Sequence, residues 1–303
     1  MNLIKDQNLP FVTMVTVTFN AEHDLPEFLS CVDSLDYPNL NLIIIDNNSS
    51  DNSVEIINKF KYKNINVNLY RNKENLGIAA ANNQGIKQAL INDSDWVVLI
   101  NNDVYFETNL VSKIILKNDI ELVSTPVIPY YDKRDTIWYK TGSFDALKGF
   151  TGKHLDKGFA VKSDKVNDPL YTDYAPTCCM AIHKSVFNEI GMMDEDYFVY
   201  FDDTDFCYRL KKSNIKIRVI QDAFLYHKVG AATGGVDSLF TIEQSSKNRV
   251  IYLRKNFGMA SAIFFVLIFF LYYFYIYMIK RTDLSRLSLS YKSTINGLVK
   301  KLT

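Results

Sequence analysis

Six carboxylates fall within twelve residues of this chain, in Asp194-Glu195-Asp196-Tyr-Phe-Val-Tyr-Phe-Asp202-Asp203-Thr-Asp205, and Arg209 follows four residues on. Acids this crowded repel one another unless cations or protons sit nearby, and such crowding lifts a carboxyl pKa toward the range of a general base. On a helix beginning near Asp202, Asp205 and Arg209 are spaced as an i,i+4 ion pair. Asp202 is placed to cap that helix, and Asp203 points away from both. Two more polar clusters end apolar runs: Leu42-Ile-Ile-Ile45 runs into Asp46-Asn-Asn-Ser-Ser-Asp51, and Trp96-Val-Val-Leu-Ile100 into Asn101-Asn102-Asp103. Asp and Asn side chains at such strand ends can pair with a nucleotide base or ribose hydroxyls. A carboxylate beside amide oxygens can hold Mg²⁺ or Mn²⁺ on a diphosphate. His227, at the end of an apolar stretch, is a candidate metal ligand. Taken singly, each cluster also has a plain explanation: a turn with a helix cap, an Asn/Asp-rich turn, a structural histidine.

The elements that must carry these groups read as strand–helix alternation. Phe11–Phe19 is rich in β-branched residues and predicts a first strand; Leu25–Leu35 has helical apolar spacing; Leu42–Ile45 is a second strand. Ser53–Lys61 follows N-cap candidates as a helix, Asn66–Tyr70 alternates as a third strand, Ile78–Ala89 is Ala-rich and helical, and Trp96–Ile100 is the fourth strand. Short apolar runs without alternation indicate strands buried on both faces, and short links between them argue for βαβ units and a parallel sheet. In such sheets ligands bind at the carboxyl ends of the strands, where the two Asn/Asp clusters lie. From Asp119 to Asp173 glycine-punctuated irregular strands and a mobile loop are expected. Thr177–His183 then predicts a strand, Lys184–Ile190 and Asp202–Lys212 helices, Ile215–Ile220 an edge strand, Gly230 with Gly234-Gly235 a flexible loop, and Glu243–Asn256 a basic amphipathic helix.

At 303 residues, 48% hydrophobic and 22% charged, the chain can bury a large core and is not a disordered polymer. Zero formal net charge gives no overall nucleic-acid footprint. The charge is uneven: residues 280–303 hold six Lys/Arg against one acid. Between Lys255 and Lys280 run 24 residues without a charge, with Tyr272, Tyr273, Tyr275 and Tyr277 at one end. That length could cross a bilayer core of roughly 30 Å as a helix, lie within one leaflet, or be a buried core helix or dimer interface. Cations flank both ends, so no orientation follows. A basic tail beside it suggests an anionic membrane face. Cys31, Cys178, Cys179 and Cys207 show no zinc or disulfide spacing and read as buried reduced thiols. Met1–Pro10 lacks the apolar run of a signal peptide, and the catalytic part is expected in the cytoplasm.

Taken in order, the motifs Val-Thr-Val-Thr-Phe-Asn20, Ile-Ile-Asp46-Asn-Asn-Ser-Ser-Asp51, Asn75-Leu-Gly77 with Asn82 and Gly85, Leu-Ile-Asn101-Asn-Asp103, Asp194-Glu195 with Asp202-Asp203-Thr-Asp205 and Arg209, and His227 resemble family 2 inverting glycosyltransferases, the rhamnosyltransferase-like bacterial branch in particular. The resemblance covers roughly residues 12–257. It implies a GT-A fold, an α/β architecture with a mainly parallel Rossmann-like sheet flanked by helices, here followed by a C-terminal hydrophobic helix. The implied division is a glycosyltransferase domain over 1–240, with a nucleotide-sugar half (11–110) and an acceptor half (111–240), then a helical membrane-associated region (241–303) containing the apolar segment 256–279. By the resemblance Thr18, Asn20, Asp46 and Asn75, with Asp51, Asn101 and Asn102, surround a UDP- or dTDP-sugar. Asp103 and His227 bind Mg²⁺ or Mn²⁺, and Asp203 is the base beside Asp202. The chain departs from the fullest family pattern in two places: Asn101 stands for the first Asp of Asp-x-Asp, and Asp202 is shorter than the usual Glu. The expected activity is transfer to a hydroxyl of a saccharide or lipid-linked acceptor in cell-surface polysaccharide synthesis, at the cytoplasmic face of the membrane. The protein would be peripheral or anchored by one segment, and a homo-oligomer stays open. A nucleotidyltransferase or a catalytically silent membrane scaffold are the competing readings. No Gln-x-x-Arg-Trp motif and no multiple spans suggest a processive synthase.

Overall fold

The computed structural model describes residues 9–116, 121–161, 169–229, 238–280 and 283–302. Its spine is a ten-stranded sheet whose first half is the parallel unit expected. β1 (Val12–Thr18) pairs with β2 (Leu40–Asp46) on one side and β4 (Trp96–Ile100) on the other, and β2 pairs with β3 (Asn66–Arg71), all parallel. Helices α1 (Leu25–Asp33), α2 (Ser53–Lys59) and α3 (Ile78–Ile91) make the crossovers. β1, β2 and β4 are buried almost throughout, as their uniform apolar runs require. The parallel register ends Thr18 opposite Asp46, so both polar loops leave from one edge.

Beyond β4 the sheet becomes mixed. β11 (Cys179–His183) pairs antiparallel with β4 and with β6 (Val123–Pro129), and β12 (Ile217–His227) pairs parallel with β6. Short strands β10 (Leu170–Thr172), β5 (Val104–Phe106) and β7 (Ile137–Tyr139) complete it, and β8 (Gly142–Asp145) with β9 (Thr151–His154) forms a separate hairpin. The strand expected over Ile215–Ile220 at an edge is a correction: β12 continues to His227 and lies between β6 and β10. A register shift between Ile220 and Phe224 lifts Gln221 and Asp222 out of the ladder, so a polar pair interrupts the pattern without ending the strand. Within the stretch expected to be irregular, β6 is instead a fully buried central strand. The glycines at 230, 234 and 235 expected to form a loop lie outside the described residues.

Helices α4 (Leu110–Leu116) and α5 (Lys184–Ile190) cover the sheet, and α6 (Asp202–Lys212) begins at the acidic pair. The N-cap of α6 is Phe201, not Asp202, which is the first helical residue. α7 (Leu239–Lys280) is broken at Gly258, where φ 85° and ψ 168° belong to a region essentially confined to glycine. The break folds the helix back on itself. Ser246 Oγ lies 3.3 Å from Tyr273 Oη, and the Arg249 guanidinium sits 4.9 Å from the Phe269 ring centre. Val250 and Leu253 of the first arm share a small core with Ala262, Val266 and Phe269 of the second. α8 (Leu284–Val299) returns along both: Tyr291 donates to the Phe270 carbonyl at 2.9 Å, and Arg254 donates to the Gly297 and Lys300 carbonyls at 2.7 and 2.8 Å. All four cysteines are free and buried.

Candidate active site

The carboxyl ends of β1, β2 and β4 open into a cleft of about 230 Å³ lined by Asn20, Asn47, Asn75, Asn101, Asn102 and Asp103, with Phe198 and Val199 on its far wall and Phe240 at its rim. Each polar residue is held by its neighbours. Asn20, in the left-handed region at φ 50°, accepts from the Ser50 amide at 2.8 Å and stitches the first loop to the second. Asn47, which sequence reasoning did not single out, donates to Asn75 Oδ1 at 2.8 Å and to the Gly77 carbonyl at 3.1 Å, and its own carbonyl accepts from Asn72 and the Leu76 amide. It fixes Asn75 in the cleft. Gly77, at φ 83°, lets the Phe198 carbonyl approach so closely that any Cβ would clash with it; that carbonyl accepts from the Ile78 amide at 2.7 Å.

Thr18 and Asp46 are fully buried behind the cleft rather than lining it. Asp46 accepts from the Ser49 amide at 3.3 Å and faces Arg71 at 3.6 Å. Both Asp51 carboxylate oxygens accept backbone bonds, from Glu22 at 3.0 Å and Ser53 at 3.0 Å, so this residue ties the first loop to α2. It does not line the cleft.

Asp103 and His227, far apart in sequence, meet because β5 runs antiparallel to the end of β12 with His227 opposite Val104. His227 Nε2 stands 3.3 Å from Asp103 Oδ1. Both residues are buried, yet among the described residues His227 Nδ1 has no hydrogen-bond partner and Asp103 Oδ1 has no well-aligned one beyond its ionic contact with Nε2. Buried polar atoms left in this state are costly and ask for a ligand. Burial raises the Asp103 carboxyl, but His227 and Asn101 pull it back below the ordinary carboxylate range, so it is an anion at neutral pH. An oxygen anion, an imidazole and nearby amides form a donor set suited to Mg²⁺ or Mn²⁺. No third His, Cys, Asp or Glu completes a cluster among the described residues, so a cation held here would need further ligands from outside these side chains.

The acidic pair lies behind an aromatic wall. Trp138 packs edge-on against His227 (4.6 Å between ring centres) and against His154 (4.7 Å), and Tyr174 sits 5.8 Å from His154. Tyr174 Oη donates to Asp203 Oδ2 at 2.7 Å, while the Thr204 amide and hydroxyl donate to Oδ1 at 2.6 and 3.2 Å. Burial pushes Asp203 up against the pull of these bonds. Asp202 is pushed up to about 8, by burial first and then by the charge of Asp203. Burial thus biases both carboxyls toward their protonated forms. Trp138, His154 and Tyr174 were not found from sequence, since a lone aromatic or histidine carries no spacing signal.

The loop that delivers the acids also walls the cleft, and it is strained. Tyr200 and Phe201 both hold positive φ, 65° and 71°. Asn248 of α7 donates to the Val199 and Tyr200 carbonyls at 2.8 and 3.1 Å, and Asn256 donates to Asp205 at 2.8 Å. The cations that six acids demand are present: Lys255 reaches Asp194 and Asp196 at 2.6 Å each, Lys300 reaches Asp196 at 2.9 Å, and Arg209 pairs with Asp205 at 2.8 Å as its spacing predicted. Burial works against the Lys255 charge, but Asp194 and Asp196 hold it above the ordinary lysine range.

A strand-end cleft beside a buried Asp–His pair and a buried pair of carboxyls, on a mixed, mostly parallel sheet flanked by helices, is the arrangement of the GT-A class. The chain matches the family model "Glycosyl transferase family 2" over residues 13–191, and it belongs to that family. It is 22% identical over 264 residues to the low-salt glycan biosynthesis hexosyltransferase Agl10 of Haloferax volcanii, covering 82% of this chain and 77% of that one. It is 24% identical over 220 residues to the dTDP-rhamnosyl transferase RfbF of Shigella flexneri, covering 71% and 68%. Among solved structures it superposes on the mannosyltransferase PcManGT of Pyrobaculum calidifontis, in complex with GDP-Man and Mn²⁺, with a TM-score of 0.59 at 13% identity, covering 97% and 88%. Asp202, Asp203 and His227 lie beyond the residues of the family match, and their assignment rests on the geometry above.

Proposed function

We propose that this glycosyltransferase moves a sugar from a UDP- or dTDP-sugar to a hydroxyl of a saccharide or lipid-linked acceptor, with inversion at the anomeric carbon, in the synthesis of a cell-surface polysaccharide. The observation that carries the reading is the meeting of buried Asp103 and His227 at 3.3 Å, with His227 Nδ1 left without a hydrogen-bond partner among the described residues, where Asp103 lines the Asn-rich cleft. Asn20 and Asn75 orient the nucleotide from residues 11–110, with Thr18, Asp46, Asn101 and Asn102 shaping the strand ends around it. Residues 111–240 receive the acceptor. Asp103 and His227 would hold a divalent cation, whose Lewis acidity offsets the negative charge that grows on a departing diphosphate.

The acceptor hydroxyl gives its proton to the Asp203 carboxylate as its oxygen bonds to the anomeric carbon. The bond from that carbon to the diphosphate oxygen breaks, and the nucleoside diphosphate leaves with the electron pair. A single displacement from the opposite face inverts the centre. Asp202 keeps its proton and so spares Asp203 a second adjacent charge, and Tyr174 holds the Asp203 carboxylate in place. The names of Agl10 and RfbF, a hexosyl- and a dTDP-rhamnosyl transferase, support a hexose or deoxyhexose donor. The Mn²⁺ in the PcManGT complex supports the cation.

A panel of UDP- and dTDP-sugars tested for donor turnover by the purified chain, with Mn²⁺, Mg²⁺ or EDTA, tests the proposal. Turnover of one donor that EDTA stops and Mn²⁺ restores is expected. Asp103→Ala and His227→Ala should each weaken metal-dependent donor binding at least about tenfold. Full turnover in EDTA would overturn the metal assignment.

A further inference from the structure

The second arm of α7, residues 259–280, has two unlike faces. Ala262, Val266 and Phe269 pack inward on the first arm, while Ile263, Phe264, Leu267, Leu271, Phe274 and Tyr275 face out at 49–72% exposure. Only 17% of its most apolar 18-residue window is buried, which excludes the core-helix reading. An apolar stripe this long on a water-facing helix has to be covered.

The fold-back at Gly258 decides how. A helix that crossed a bilayer would take its packed neighbours with it. The neighbours here are the first arm, whose Asn248, Lys255 and Asn256 grip the acidic loop, and α8, which carries Arg286, Lys292 and five Ser or Thr residues. Buried in hydrocarbon, those cations would be very costly, and the catalytic loop would be dragged in behind them. From these contacts we infer that the α7–α8 hairpin lies in the plane of an anionic membrane surface. The outward stripe of residues 259–280 enters the headgroup and acyl boundary to roughly 5–10 Å, and α8 and the catalytic domain stay on the water side. Tyr272 and Tyr275, half exposed, suit the headgroup level. Arg286 and Lys292 belong to α8, which packs along this arm through Tyr291 on Phe270 and Tyr273 and so carries its cations to the headgroup level, where anionic lipid is the fitting occupant; on a second copy of the chain the same cations would repeat and repel. This deepens the membrane side of the function proposed above.

The test is flotation of the full chain with vesicles of phosphatidylcholine alone or mixed with phosphatidylglycerol, beside a depth measurement. Binding to the mixed vesicles is expected, and the outward pair Leu267→Glu and Leu271→Glu should lower the bound fraction at least about tenfold with donor turnover in solution retained. Tryptophan introduced by Phe264→Trp, Leu271→Trp or Met278→Trp should be quenched equally by shallowly brominated lipid. Quenching graded from one side of the bilayer to the other would mean a span and overturn the inference. So would a protein that ignores vesicles, or a dimer that the Leu267 and Leu271 substitutions dissolve. Intact flotation without donor turnover counts against the transfer reading and leaves the membrane surface standing.

Discussion

In the proposed transfer, Asp203 is the residue on which the proton chemistry turns. With Tyr174 on one oxygen and Thr204 on the other, only a small geometric change separates a held carboxylate from a proton acceptor. Asp203→Asn removes the acceptor and little volume, so turnover should fall by about 10²- to 10⁴-fold while calorimetry finds nucleotide binding almost unchanged. Tyr174→Phe deletes a bond that favours the charged form of Asp203; the acidic limb of the kcat/KM profile should therefore move to higher pH. Asp202 has the opposite signature, in stability. Its folded pKa is raised to about 8, so the proton it retains stabilises the fold at low pH, and that contribution is lost as pH rises from the ordinary carboxyl range through about 8. Asp202→Asn should flatten this decline in denaturant titrations across pH. From sequence the acids, amides and His227 were legible because type and order together are informative. Tyr174, Trp138 and His154 were not, because what matters in them is who faces whom across the sheet.

At the level of elements, the short uniform apolar runs of β1, β2 and β4 are readable because a strand buried on both faces has no polar positions. β6 is hidden by Pro126 and Pro129, residues that argue against a central strand; Pro129 falls at the last position, where β7 takes over the pairing with a register shift. β12 is cut short in the reading by Gln221-Asp222, whose bulge only a partner strand reveals. The loop before α6 depends on a helix distant in sequence. Asn248→Ala leaves two carbonyls without their donor and should cost about 1–3 kcal/mol by thermal melting. Turnover should drop further than that stability loss explains, since Tyr200 and Phe201 can then relax out of positive φ. Gly258→Ala is the cleaner backbone probe. Nothing lies within 4 Å of its added Cβ, so the expected loss of about 1–3 kcal/mol would be conformational strain alone.

For the whole molecule, the apolar length of residues 256–279 was plain in the composition, but its direction was not, because a single glycine reverses it. The C-terminal helices are structural partners of the transferase. Removing residues 284–303 would take Lys300 from Asp196, both carbonyl acceptors from Arg254, and cover from Phe270 and Tyr273. A loss of about 3 kcal/mol or more and a lower Tm are expected, read by calorimetry, so point substitutions on the outward stripe report membrane contact better than truncation does. The bond between Lys300 and Asp196 also orders events during synthesis. Translation delivers the strand-end asparagines, then the acids together with the cleft's far wall, then their clamp, and a ribosome must release more than a hundred residues after Asp196 before Lys300 can close on it. A nascent chain thus holds its strand-end asparagines and its acids well before the loop that carries the acids is fully braced, and the brace arrives only with α8.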